Sequence, residues 1–84
     1  MVYVGMDVHS KTTTFCLYDP GAEPSRQYRY MTRPTTAKEI EAVLEPLGGD
    51  CRIAYEVGTQ AQWVADKVRP LALDVQVANP SRIS

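Results

Sequence analysis

Apolar and polar positions alternate with a period of two near both ends of the chain, and with a helical period in two stretches between. In residues 2–8 (VYVGMDV), Val2, Val4 and Met6 share one face while Tyr3, Gly5 and Asp7 share the other. This is the pattern of a half-buried strand. Residues 12–18 (TTTFCLY) are β-branched and aromatic, which favours a second strand. The polar stretch His9-Ser10-Lys11 between them fits a hairpin turn, and Asp19-Pro20-Gly21 marks the next reversal. Residues 25–31 (SRQYRYM) predict a third strand, whose polar content suits a sheet edge.

Residues 36–45 predict a helix. Thr36 and Glu39 stand at capping-box spacing. Ile40, Val43, Leu44 and Leu47 recur at i, i+3, i+4 and i+7 and form one apolar stripe, which Pro46 and Gly48-Gly49 bring to an end. Residues 51–56 (CRIAYE) predict the fourth strand. Thr59 and Gln62 repeat the capping spacing and open a second helix through about Arg69. Ala61, Val64, Ala65 and Val68 form its buried side, with Trp63 in the core beside them. Residues 73–78 (LDVQVA) alternate as a fifth strand, and Asn79-Pro80 has the chemistry of a third helix start.

The predicted order is β-β-β-α-β-α-β. Hairpin-linked strands followed by right-handed crossovers require a mixed sheet of five strands, with strand four parallel to strand one and beside it. The expected class is therefore α/β, within one domain over residues 1–84. An end at Ser84, just past a helix start, predicts a longer parent chain whose missing helices would cover apolar surface. Self-association through that surface is a further expectation.

Composition narrows the function classes. An 84-residue chain that is 44% hydrophobic, with five Tyr, one Phe and one Trp, suits a small globular unit and not a disordered one. The net charge of −1 lacks the basic surplus of a stand-alone DNA-binding module. Arg26, Arg29 and Arg33 do cluster, either as a nucleic-acid contact or as a solvated edge. Cys16 and Cys51 lie in apolar strands without metal-ligand spacing, so both are expected to be buried free thiols. Free thiols and the lack of a signal sequence suit the cytoplasm. No apolar run reaches the ~20 residues of a membrane helix.

The candidate chemistry lies with two acids. Asp7 falls near the carboxyl end of strand one, and Glu56 ends strand four. In the expected topology both emerge at the same sheet edge, where open α/β sheets bind ligands. Two neighbouring carboxylates either raise a pKa or take up a hard cation. Mg²⁺ or Mn²⁺ with one or two carboxylates and substrate phosphate oxygens fits that description. Gly5 and Gly58 flank the acids and would let a ligand or backbone come close. His9 is either a turn histidine or a contact to metal or phosphate. Lys11, Arg26 and Arg29 are the candidate nucleic-acid contacts. Tyr28 and Tyr30 either stack on bases or pack on the sheet.

These motifs resemble a known family. The run from Tyr3 to Thr13 resembles the opening of the Piv-invertase-like DEDD transposases of insertion sequences. Tyr55-Glu56-Val57-Gly58-Thr59 resembles that family's second acidic motif, and Val75-Gln76-Val77-Ala78-Asn79-Pro80 its strand leading into an Asn-Pro helix start. The resemblance implies a RuvC-like, ribonuclease H-like catalytic domain that cuts and rejoins DNA with Mg²⁺. Asp7 and Glu56 would be its first two catalytic, metal-binding acids. The two later Asp residues and the family's serine-bearing domain lie beyond Ser84, so the chain alone is expected to be inactive and to hold metal weakly. DNA, and a guide RNA, would be partners of the full-length protein. A second resemblance competes. Gly5-x-Asp7-x-x-x-Lys11-Thr12-Thr13 is also similar to the first phosphate loop of actin-like sugar kinases and ATPases, which share this sheet topology. There Asp7 would hold Mg²⁺-ATP, although His9-Ser10 stands where that loop normally carries another small residue. A third alternative is a non-catalytic, truncated interaction module.

Overall fold

The computed structural model describes residues 1–56 and 62–78. Five strands, β1 (Val2–Val8), β2 (Thr12–Tyr18), β3 (Tyr28–Pro34), β4 (Cys51–Glu56) and β5 (Asp74–Ala78), form one mixed sheet in the order β3-β2-β1-β4-β5. β1, β2 and β3 pair antiparallel, while β4 runs parallel to β1 and β5 parallel to β4. Two helices, α1 (Ala37–Leu44) and α2 (Gln62–Val68), make the crossovers. This is the small α/β architecture expected from the periodicities.

One face of the sheet carries the core. Val4, Met6, Phe15, Leu17, Ile53 and Tyr55 meet Ile40 and Leu44 of α1 and Val64, Ala65 and Val68 of α2, all of them buried. Each inward residue alternates with an outward one along its strand, so the hydrophobic effect fixes which face turns toward the helices. Trp63 lies one position outside the α2 stripe. It is 39% exposed, and is not the core residue its size suggested.

Thr36 caps α1, its hydroxyl accepting from the Glu39 N–H at 3.2 Å. The Thr36 N–H is donated to the Pro34 carbonyl instead of to the Glu39 side chain, so the cap holds the end of β3 against the start of α1. Gly48 terminates the turn after α1 with φ of 64°, a left-handed conformation that glycine adopts without a Cβ penalty.

Two boundaries differ from expectation. Residues 24–26 form a single 3₁₀ turn, and the third strand starts later and runs to Pro34. Pro24 presets the turn, and the Arg26 N–H closes it by donating to the Glu23 carbonyl at 2.7 Å. Pro34 is tolerated because β3 is an edge strand. Cys51 is fully buried as expected, whereas Cys16 is only half-buried because it lies on the face opposite the helices. The Thr59 cap, Ala61, Gly58 and the Asn79-Pro80 helix start lie outside the described residues. Among the described residues no helix is long and apolar enough to cross a membrane.

Candidate functional site

β1 and β4 run parallel, with Met6 paired to Tyr55 at the end of their ladder. Asp7 and Glu56 come one residue later on each strand. Both turn away from the buried pair, because successive side chains alternate between faces. The two carboxylates therefore stand at adjacent positions on the face not covered by α1 or α2. They line one open depression of about 490 Å³ together with Gly5, Thr14, Tyr30 and Ala54. The floor consists of small residues, and an added Cβ on Gly5 would meet nothing within 4 Å. Space for a ligand is thus built into the sheet, not into a loop.

The hairpin that follows Asp7 is tightly held. The His9 N–H donates to the Thr12 carbonyl at 3.0 Å, and the His9 ring brings Nε2 to 3.1 Å from Asp7 Oδ1. Asp7 and His9 side chains are both largely exposed, 63% and 67%, so this pair is screened by solvent and is worth little to folding. Among the described residues the second Asp7 oxygen has no partner. Among the described residues no three His, Cys, Asp or Glu side chains gather as a metal site. The oxygen donors available to a hard cation are the two carboxylates. Two such donors suit Mg²⁺, which keeps several waters and accepts phosphate oxygens in the remaining positions.

The basic candidates are not brought to this depression. Lys11 lies exposed in the hairpin turn. Arg26 and Arg29 line a separate cleft of about 120 Å³ with Val2, Leu17, Asp19 and Leu47. Arg29 pairs with Leu17 and Arg33 with Thr13, so both point to the helix side of β3. Tyr28 and Tyr30 point to the opposite side, 57% and 70% exposed. Strand alternation thus separates the arginines from the tyrosines with which they interleave in sequence. Tyr28, Tyr18 and Tyr3 form a row across three strands, with ring centroids 4.7 Å and 6.2 Å apart. Sequence reasoning did not find that row, which depends on cross-strand register. Nor did it find Thr35, whose side chain reaches the hairpin from the far end of β3.

Neither a protein-family model nor a curated protein matches the chain. Among solved structures, the Aquifex aeolicus PPX-GPPA enzyme is similar in fold, with a TM-score of 0.51 at 12% sequence identity. The match covers 95% of this chain and 36% of that one, so the chain spans about a third of its structural neighbour. This corrects the transposase assignment, and with it the RuvC-like and DNA-recombination readings: the neighbour is a PPX-GPPA enzyme, not a ribonuclease H-like transposase. The physical reason lies in the motifs themselves. An acid near a strand end suits any open α/β sheet, whose strand ends take ligands of many kinds. Such a feature does not specify one reaction.

Proposed function

We propose that the chain carries the phosphate-binding hairpin of an actin-like, nucleotide-dependent enzyme, built on the ribonuclease H-like sheet plan that such enzymes share. The observation that carries this reading is the placement of Asp7. It stands at the carboxyl end of β1, directly before a tight hairpin, on an open sheet face where Glu56 flanks it from the parallel strand. The likeness in fold to a PPX-GPPA enzyme supports it. So does the similarity of the run from Gly5 to Thr13 to the first phosphate loop of actin-like kinases and ATPases.

In this reading Asp7 and Glu56 hold Mg²⁺, directly or through its waters. The ion supplies charge neutralisation to the phosphates of a bound nucleotide. The hairpin directly follows Asp7 and would offer backbone donors to phosphate oxygens. His9, where the loop usually has a smaller residue, holds one oxygen of Asp7 and leaves the other for the ion.

Isothermal titration of the chain with Mg²⁺-ATP tests the assignment. Wild-type protein should bind. Asp7→Asn, which keeps the shape and removes the charge, should weaken binding by about tenfold or more, since a hydrogen bond or contact to a charged group contributes ~1.5–3 kcal/mol. Absence of binding to the wild type, or equal binding by both proteins, would remove the basis for a nucleotide site at Asp7.

A further inference from the structure

The hairpin after Asp7 is not held by its own two strands alone. Thr35 follows the last residue of β3 and is half-buried. Its backbone N–H donates to the Lys11 carbonyl at 2.9 Å. Its hydroxyl donates to the His9 carbonyl at 2.6 Å and lies 2.7 Å from Thr13 Oγ1. A hydroxyl has one proton. The Thr35 proton goes to His9, so the Thr13 hydroxyl donates to the Thr35 oxygen. Thr13 is fully buried, and this bond satisfies its hydroxyl. The result is a directed relay, Thr13 to Thr35 to the His9 carbonyl, that begins in the core and ends in the turn.

The relay has a geometric consequence. No peptide bond among the described residues is cis, and in a trans peptide the N–H points opposite to the carbonyl. Drawing the His9 carbonyl toward Thr35 therefore turns the Ser10 N–H away from it. The Ser10 N–H donates to no backbone carbonyl in the turn. Among the described residues it has no acceptor, and its direction is set by Thr35.

We propose that Thr35 is the positioning residue of the Asp7 hairpin: it orients the His9–Ser10 peptide so that the Ser10 N–H meets an anionic oxygen of a phosphate ligand. This rests on the phosphate-binding reading of the hairpin. Thr35 itself touches neither ligand nor metal, and acts through the turn.

The test uses the whole chain, Mg²⁺-ATP as the probe, and four variants. Thr35→Val removes the donor at nearly constant volume. It should raise the dissociation constant about tenfold and speed hydrogen exchange of the His9 amide. Thr35→Ser keeps the hydroxyl and should restore both to within about twofold. Thr13→Val leaves the Thr35 donation to His9 intact, so affinity should stay within about twofold of wild type.

The double variant Thr13→Val with Thr35→Val separates positioning from stability. With no hydroxyl left orphaned in the core, it should regain urea stability relative to Thr35→Val, while its affinity stays low. Recovery of affinity together with stability would show that Thr35 only supports the fold, and would overturn the proposal. So would wild-type affinity in folded Thr35→Val. If the wild-type chain binds no Mg²⁺-ATP, the nucleotide reading fails separately. An unchanged His9 exchange rate in Thr35→Val would then overturn the positioning role as well.

Discussion

The two cysteines show how much one residue's face decides. Cys16 and Cys51 both sit in apolar strand segments, and the sequence treats them alike. Cys51 points toward the helices, is fully buried, and donates to the Leu71 carbonyl across 3.4 Å. Burial pushes its thiol pKa up, with the Asp50 charge adding to the effect. Thiolate is the reactive form, so Cys51 is protected twice, by access and by protonation. Cys16 faces the open depression beside Tyr30. An aromatic disulfide reagent at neutral pH should therefore modify Cys16 in the native chain and Cys51 only after denaturant is added. Cys16→Ser should abolish the native reaction, and a full native reaction in that variant would contradict the burial of Cys51. At this scale the places of the two acids near strand ends were legible, because the sequence marks both strands clearly. Thr35 was not, because nothing local links its hydroxyl to a turn 26 residues earlier.

At the scale of elements, periodicity and β-propensity mark the two helices and five strands of the described residues, and the errors sit at boundaries. α1 and α2 pack side by side over the sheet, and Glu41 of α1 forms an ion pair with Lys67 of α2. The hydrogen bond and charge of Lys67 hold the Glu41 carboxyl below its ordinary value. The sign follows from linkage. A carboxyl with a folded pKa below its unfolded pKa stabilises the fold above the ordinary carboxylate range. That contribution is lost as pH falls through the folded pKa. Glu41→Gln should thus be less stable than wild type by urea unfolding near pH 7, and the gap should narrow near pH 3, below the ~4.3 of a free glutamate. A gap that stays constant or widens in acid would mean that the pair does not stabilise the helix packing. The pair joins residues from separate crossovers, and the two helical stripes, read one at a time, give no hint of it.

For the whole molecule, the sheet face opposite α1 and α2 is where fold and proposed chemistry meet. Asp7, Glu56 and the tyrosine row all stand on it. A ligand that binds only the folded chain stabilises it by mass action, by ~2.7 kcal/mol at a hundred times its dissociation constant. For a domain of 84 residues, each kcal/mol moves the melting temperature by roughly 4–8 °C. Mg²⁺-ATP at that excess should raise Tm by roughly 10–20 °C in the wild type, and clearly less in Asp7→Asn at the same concentration. An equal rise in both would place the binding elsewhere. The motifs alone did not specify a chemistry for this face. The same acids and glycines satisfied a transposase pattern, and the fold comparison with a PPX-GPPA enzyme turned that assignment aside.

The sequence by itself determined the elements, their order and the inward face of β1, because alternation and helical stripes are local and the hydrophobic effect acts on them directly. It also marked the acids at strand ends. The tertiary structure alone decided that Asp7 and Glu56 line one depression, that three tyrosines form a row across β1, β2 and β3, and that Thr35 grips a turn that lies 26 residues earlier at His9. Each of these depends on the register between strands far apart in the chain, and that register is set by how the buried faces pack together.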